Sequence, residues 1–235
     1  MTIALLTDFG TRDPYVAAMK GVIASRCEAS VADLTHDIAP FDVWEAAFFL
    51  RDAARYWPAG TIFVCVVDPG VGTARRIIAV ESDGRIFLAP DNGLLHIIDG
   101  EAHEVTNESL FLPNGSTTFH GRDRFAPVAA ALANGANADN LGPRIDDRVP
   151  LDYNPGAIIR IDRFGSCITD LVPLDTPFAV RVNDRRIDNL RTAYTGDGAF
   201  LIVGSTGCVD ISVANGSAAS LLHLRRGDRV TIIPK

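Results

Sequence analysis

No apolar run in this chain approaches the roughly 18 residues that a helix needs to cross a bilayer, so no membrane role is expected. Basic residues are outnumbered, with 22 Lys and Arg against 29 Asp and Glu and a formal charge of −7. A nucleic-acid surface normally leaves a basic footprint, so nucleic acid is not an expected partner. Cysteine is scarce: Cys27, Cys65, Cys167 and Cys208 form no CxxC pair and stand mostly among apolar neighbours. They read as reduced, buried thiols rather than disulfides or metal ligands. HxH, HExxH and DxD pairs, the closely spaced ligands of many metal sites, are missing too. "DPGVGTARR" has neither the GxGxxG spacing before a helix nor the Gly-Lys-Ser/Thr ending of a P-loop, so a nucleotide phosphate site has little support. The chain enters a strand-like run at once, without a basic and apolar leader, and a cytoplasmic protein is expected.

What is present is an ordinary globular composition, 47% hydrophobic and 22% charged over 235 residues, with ample material for a buried core. The first part alternates strand-like and helix-like segments. Ile3–Thr7 is an apolar run, followed by a helical face through Tyr15, Met19 and Ile23. Val31–Leu34 reads as a strand, and Asp42 with Glu45 makes a capping-box spacing ahead of a second helix ended by Pro58-Ala59-Gly60. "TIFVCVV" (61–67) is apolar throughout, as a strand buried on both faces would be. "RIIAVESDGRIFLAP" reads as a hairpin around Ser82-Asp83-Gly84, and "FAPVAAALANG" as a helix closed by Asn134-Gly135.

The character changes after about residue 142. "GPRIDDRVPLDYNPG" has the Pro, Gly and charge of a linker, and short strand-like pieces follow with no helical period. The expected architecture is therefore an α/β N-terminal domain over 1–142, a linker over 143–156, and an all-β, barrel-like C-terminal domain over 157–235.

Asp8, Asp68 and Asp91 share one context, each following an apolar run and standing beside glycine in "TDFG", "VDPGVG" and "PDNG". In open α/β sheets, ligands bind beyond the carboxyl ends of the strands. Turns are also built from Asp, Asn, Pro and Gly, so each acid alone has a purely structural explanation. "TFHGRDRFAP" adds His120, Arg122, Asp123 and Arg124 in a polar loop before a helix. Asp8, Asp68, Asp91 and His120 together would suit a hydrolytic metal site. Residue chemistry by itself stops at an α/β enzyme with an acidic cleft and a β-rich second domain.

Six blocks taken in order go further: "LLTDFGTRDPYVAAMKGVI", "VVDPGVGTARR", "APDNGLL", "FHGRDRFAPVAA", "IDRFG" and "NGSAASLL". Together they resemble the S-adenosylmethionine (SAM) hydroxide adenosyltransferases, the SAM hydrolases related to the fluorinating and chlorinating SAM halogenases. The resemblance implies hydrolysis of SAM to adenosine and methionine, SAM being substrate so that no cofactor or metal is required. It also implies a homotrimer with sites between neighbouring protomers. It gives Asp68, Arg75 and His120 the role of activating water. The halogenases replace members of this set with neutral residues and carry a long insertion that is absent here. On the substrate side it implies Asp8 on the ribose hydroxyls, Asp13 as a further acid, and Phe41 packed along the substrate. In the second domain Ser166 stands where the family has an adenosine-contacting Asn, in "FGS" rather than "FGN". Ser205 and Asp210 match the residues that hold the methionine end, Asp210 being one methylene shorter than the usual Glu. Val213 matches a backbone contact to adenine. A halide adenosyltransferase and a silent adenosine- or SAM-binding protein are the alternatives on the same scaffold.

Overall fold

In the computed structural model, which describes residues 1–235, the opening apolar run folds as β1 (Thr2–Thr7), followed by α1 (Tyr15–Ala24) and β2 (Ser30–Thr35). Next come α2 (Val43–Ala54), β3 (Thr61–Val66), the hairpin β4 (Ile77–Ser82) and β5 (Arg85–Pro90), β6 (Glu101–Glu104), α3 (Ala126–Ala133) and β7 (Arg144–Ile145). The strands form one sheet in the order β2-β1-β3-β5-β4-β6-β7. From β2 to β5 the pairing is parallel, and β4, β6 and β7 add antiparallel partners.

Successive side chains of a strand point to opposite faces, and both faces here are covered. Ile3, Leu5, Ile62 and Val64 pack with Met19 and Ile23 of α1 and Val128 and Leu132 of α3. Ala4, Leu6, Phe63 and Cys65 pack with Ala46 and Leu50 of α2 on the other side. That is why β3 is apolar at every position, each fully buried Val, Ile or Phe contributing about 1.5–3 kcal/mol. Asp42 caps α2 by accepting from Glu45 N at 2.8 Å. The reciprocal half of the capping box is absent, since Glu45 Oε2 accepts from Ala39 N at 3.2 Å instead.

The segment expected to be a linker is not one throughout. Arg144–Ile145 pairs with β6, and Arg148 Nη1 donates to the carbonyls of Leu95 and Ile98, each at 2.9 Å. Charged residues that suggest a solvated tether are bound instead to the first unit, which runs from Met1 to Asp152.

The second unit, Tyr153–Lys235, contains β8 (Ile158–Ile161), β9 (Cys167–Thr169), β10 (Phe178–Val182), β11 (Arg185–Ile187), β12 (Leu190–Arg191), β13 (Ala199–Val203), β14 (Val209–Val213), α4 (Ala218–Leu222) and β15 (Val230–Pro234). Its strands make two sheets, β12-β13-β14-β9-β8 and β11-β10-β15, around one core containing Val180, Val182, Leu201, Val209 and Ile211. The β content matches expectation, but neither sheet closes on itself as a barrel would. Barrel closure needs a continuous staggered ladder, and the hydrogen-bonded order ends at β12, β8, β11 and β15. Helix α4 was not legible, because five residues are too few to show a period. No helix is long and apolar enough to cross a membrane.

Candidate active site

Strands β1, β3 and β5 are neighbours and parallel, so Asp8, Asp68 and Asp91 follow adjacent carboxyl ends. Two loops meet at the first of these. Thr7 Oγ1 and His36 Nδ1 are hydrogen-bonded at 2.8 Å, Phe9 N donates to Thr7 Oγ1 at 3.2 Å, and Gly10 N donates to the His36 carbonyl at 2.8 Å. Gly10 supplies the left-handed φ of 66° that the turn requires. At the far end Phe41 N donates to Asp8 Oδ2 at 2.8 Å. Phe41 itself is left-handed, φ 67°, and 70% exposed, which is unusual for a bulky residue.

The loop after β3 folds back on itself. Val71 N donates to the Asp68 carbonyl and Thr73 N to that of Gly70, at 3.2 and 3.1 Å. Gly72 is left-handed, and a Cβ there would lie 2.7 Å from the Thr117 carbonyl oxygen. These turns return Arg75 to Asp68. Arg75 Nε donates to Asp68 Oδ1 at 2.9 Å and to Oδ2 at 3.1 Å, and Nη2 also donates to Oδ2. Nη2 reaches His120 Nδ1 at 2.8 Å as well. The pair is buried, the side chains being 10% and 4% exposed, so losing either partner would leave a charge stranded.

His120 was expected in a polar loop. It is instead 2% exposed and leads directly into a π-helical turn, Gly121–Phe125, that runs on into α3. Such wide turns occur mostly as single turns, frequently at functional sites. Here the turn seats Gly121 against Met19 Sδ and the Phe9 ring, where a Cβ would come within 3.1 and 3.3 Å. Burial, helped by the charges of Arg124 and Arg75, pushes the His120 imidazole down to about 4.

Asp8, Phe41, Asp68 and His120 line one cavity of about 260 Å³. Phe9, Tyr15 and Phe119 line it too, in edge-to-face contacts with centroids 5.1–6.1 Å apart. Asp91 does not join them. Its carboxylate is taken by Arg76 Nε at 2.8 Å, Arg76 Nη2 at 2.6 Å and Val149 N at 2.9 Å. The expected grouping of three acids therefore reduces to two, because the third is engaged by its own domain. Asp13 is exposed and is not among the cavity walls. Of the four side chains that would suit a metal, Asp91 is withdrawn while Asp8, Asp68 and His120 line the cavity, and no group of three or more His, Cys, Asp or Glu side chains is arranged to hold an ion.

The second unit has a cavity of its own, about 620 Å³, with Phe164, Ser166, Tyr194 and Val213 on its walls. Asp162 Oδ1 accepts from Phe164 N at 2.9 Å and Ser166 N at 2.8 Å, shaping the loop, and Ser212 Oγ donates to Ser166 Oγ at 3.0 Å. Asp210 is buried on β14 beside Gly204, where a Cβ would approach its Oδ2 to 2.1 Å, and Ser205 is exposed in the adjoining turn. Neither lines the cavity. Sequence reasoning missed His36 and the aromatic walls. Phe9, Phe119 and Phe164 each stand beside a glycine or one residue from it, a signal available in "DFG", "FHG" and "RFG"; Tyr194 had none.

Comparison with known proteins bears on both units. Residues 3–142 match the model of the SAM hydroxide adenosyltransferase N-terminal domain, and residues 156–231 that of the C-terminal domain. The chain is 39% identical to the (R)-S-adenosyl-L-methionine hydrolase of Thermus thermophilus over 254 aligned positions, covering 98% of this chain and 99% of that protein. A fluorinase from Actinopolyspora mzabensis is more distant, at 29% identity over 85% of this chain and 76% of its own length. A crystal structure of a conserved protein from Thermotoga maritima superposes with a TM-score of 0.90 at 33% identity, covering 98% of this chain and all of that one.

Proposed function

The chain belongs to the SAM hydroxide adenosyltransferase family, and on that premise we propose that it is an enzyme hydrolysing SAM to adenosine and methionine, with water attacking C5′. The observation that carries this reading is the position of Arg75, which binds Asp68 and His120 at once behind a cavity wall that also presents Asp8. The relatives named for the (R)-sulfonium support that epimer as the preferred substrate.

The chemistry asks little on the leaving side. Sulfonium departs as a neutral thioether, so no acid has to protonate it. The demand falls on water, which must lose a proton as it attacks. A positioned acceptor contributes typically about 10²–10⁴-fold, and orientation inside a closed site supplies most of the rest. Asp68, Arg75 and His120 form the water-activating set in this proposal. Asp8 has an Oδ1 to offer the ribose hydroxyls while Oδ2 holds the Phe41 amide. The carboxylate of Asp68 disfavours a halide at the same point, which sets this chain apart from a halide adenosyltransferase. The cavity of the second unit, with Phe164, Tyr194 and Ser166, suits a purine base. Assembly as a homotrimer belongs to the same proposal.

The test is incubation of purified protein with (R)- and (S)-sulfonium SAM separately, without halide, with products resolved by chromatography. Adenosine and methionine in equal amounts, faster from the (R) form and lost in Asp68→Ala, are expected. Bound SAM without turnover, or a 5′-halo product appearing only with added halide, would overturn the reading.

A further inference from the structure

We infer that Asp68 alone takes the proton from the attacking water, while His120 acts as a neutral hydrogen-bond donor through Nε2–H. The inference rests on the hydrolase reading above and divides the labour within its site.

The division follows from what Arg75 is able to do. A guanidinium has N–H donors only and stays protonated at any working pH. Arg75 Nη2 lies 2.8 Å from His120 Nδ1, so Nδ1 must present a lone pair, because two donors cannot share that contact. A neutral imidazole carries one proton, and with Nδ1 bare that proton sits on Nε2. A nitrogen already bearing its proton cannot receive another. The ring's only basic atom is thus turned to a cation and occupied. The groups acting on it electrostatically are Arg75, Arg124, Asp68 and Asp123, and burial together with the two arginines opposes a second proton.

Asp68 is built the opposite way. Oδ1 accepts one contact from Arg75, at 2.9 Å, while Oδ2 takes two. Each carboxylate oxygen has about two acceptor sites, so Oδ1 keeps one for a water O–H, and Asp68 is on the cavity wall. His120 Nε2 is buried with no protein partner, as is Arg75 Nη1. An orphaned buried N–H is costly unless a ligand meets it. An oxygen held between Asp68 and Nε2–H satisfies it. In the step that follows, water oxygen bonds to C5′, the C5′–S bond breaks with its electron pair going to sulfur, and one water proton passes to the Asp68 carboxylate and then to solvent. His120 keeps its proton throughout and is left holding the new 5′-hydroxyl oxygen. Arg75 is a positioning residue that aligns both.

Two experiments decide the matter. Long-range ¹H–¹⁵N NMR of the wild-type imidazoles near neutral pH is expected to show His120 protonated on Nε2 and bare on Nδ1; the reverse tautomer would overturn the inference. In steady-state kinetics, Asp68→Asn is expected to lower kcat by about 10²–10⁴-fold, the range of a lost base. His120→Asn retains an oxygen able to accept from Arg75 and has no proton to exchange. It is expected to lower kcat by no more than about tenfold, the scale of one neutral hydrogen bond, without moving the pH profile. A loss in His120→Asn and His120→Gln as deep as in Asp68→Asn, in protein that still binds adenosine by calorimetry, refutes it. Absence of adenosine formation by the wild type fails the hydrolase reading itself. That failure is distinguishable, because the tautomer measurement does not depend on turnover.

Discussion

Phe41 is strained and exposed at the same time, and replacing it separates the two properties. Its φ of 67° is in the left-handed region, where a residue with a Cβ is disfavoured by about 1–2 kcal/mol and glycine is not. Phe41→Gly and Phe41→Ala both remove the ring and both keep the N–H that Asp8 Oδ2 accepts. They differ only in the Cβ. Glycine's larger unfolded-state entropy offsets roughly 0.4–1 kcal/mol of the relief, so Gly is expected to be more stable than Ala by about 0.5–1 kcal/mol. The ring is 70% exposed, and a fully buried Phe contributes only about 1.5–3 kcal/mol. Its removal therefore costs under about 1 kcal/mol, and the Gly variant should lie within that margin of wild type. Thermal melts resolve the difference, since about 1 kcal/mol moves the midpoint by roughly 2–4 °C at this size. In the hydrolysis assay both variants should raise KM for SAM about tenfold with kcat changed less, because an aromatic contact beyond area burial is worth about 0.5–1.5 kcal/mol. An Ala variant as stable as the Gly variant refutes the backbone argument. An unchanged KM refutes contact with substrate.

Other positions carry equally specific outcomes. Asp91→Ala leaves the Val149 amide without its acceptor while Arg76 keeps Asp147, and should destabilise the first unit by about 1–3 kcal/mol in urea melts while leaving turnover per folded molecule intact. Gly165→Ala drives a Cβ to 2.6 Å from the Ser217 Cα at a φ of 84°, and should destabilise the second unit by about 2–3 kcal/mol and weaken adenosine binding by calorimetry. His120 sits at about 4 in the folded protein against an ordinary 6.5, so the unfolded chain takes up this proton first. Its contribution to stability is complete above about pH 6.5 and is lost as pH falls from there toward 4. Urea midpoints measured across that window should fall for wild type and fall less steeply for His120→Asn.

Much of this was legible in the chain. Patterns of 2 and 3.6 residues are local, so β1, α1, α2, β3, the β4–β5 hairpin and α3 stand close to where their apolar spacing placed them. Three features misled: the charged stretch after residue 142, which is held by β7 and Arg148; the polar run around His120, which folds as a buried π-helical turn; and the second unit, whose strands form two sheets. In each the deciding contacts come from residues far away in the chain, and polarity alone does not say whether a charge is solvated or paired.

The acids tell the same story. By itself the amino-acid sequence determined that Asp8, Asp68 and Asp91 each end an apolar strand beside a glycine, because strand and turn preferences are set by immediate neighbours. Only the tertiary structure decided that Arg76 removes Asp91 from the site, while Arg75 joins Asp68 to a histidine 45 residues further on. Arg76 ties an acid into its own domain, and its neighbour Arg75 joins an acid to a buried histidine. The two side chains leave the loop ahead of β4 toward different partners, and which partner waits for each is a property of the packed sheet.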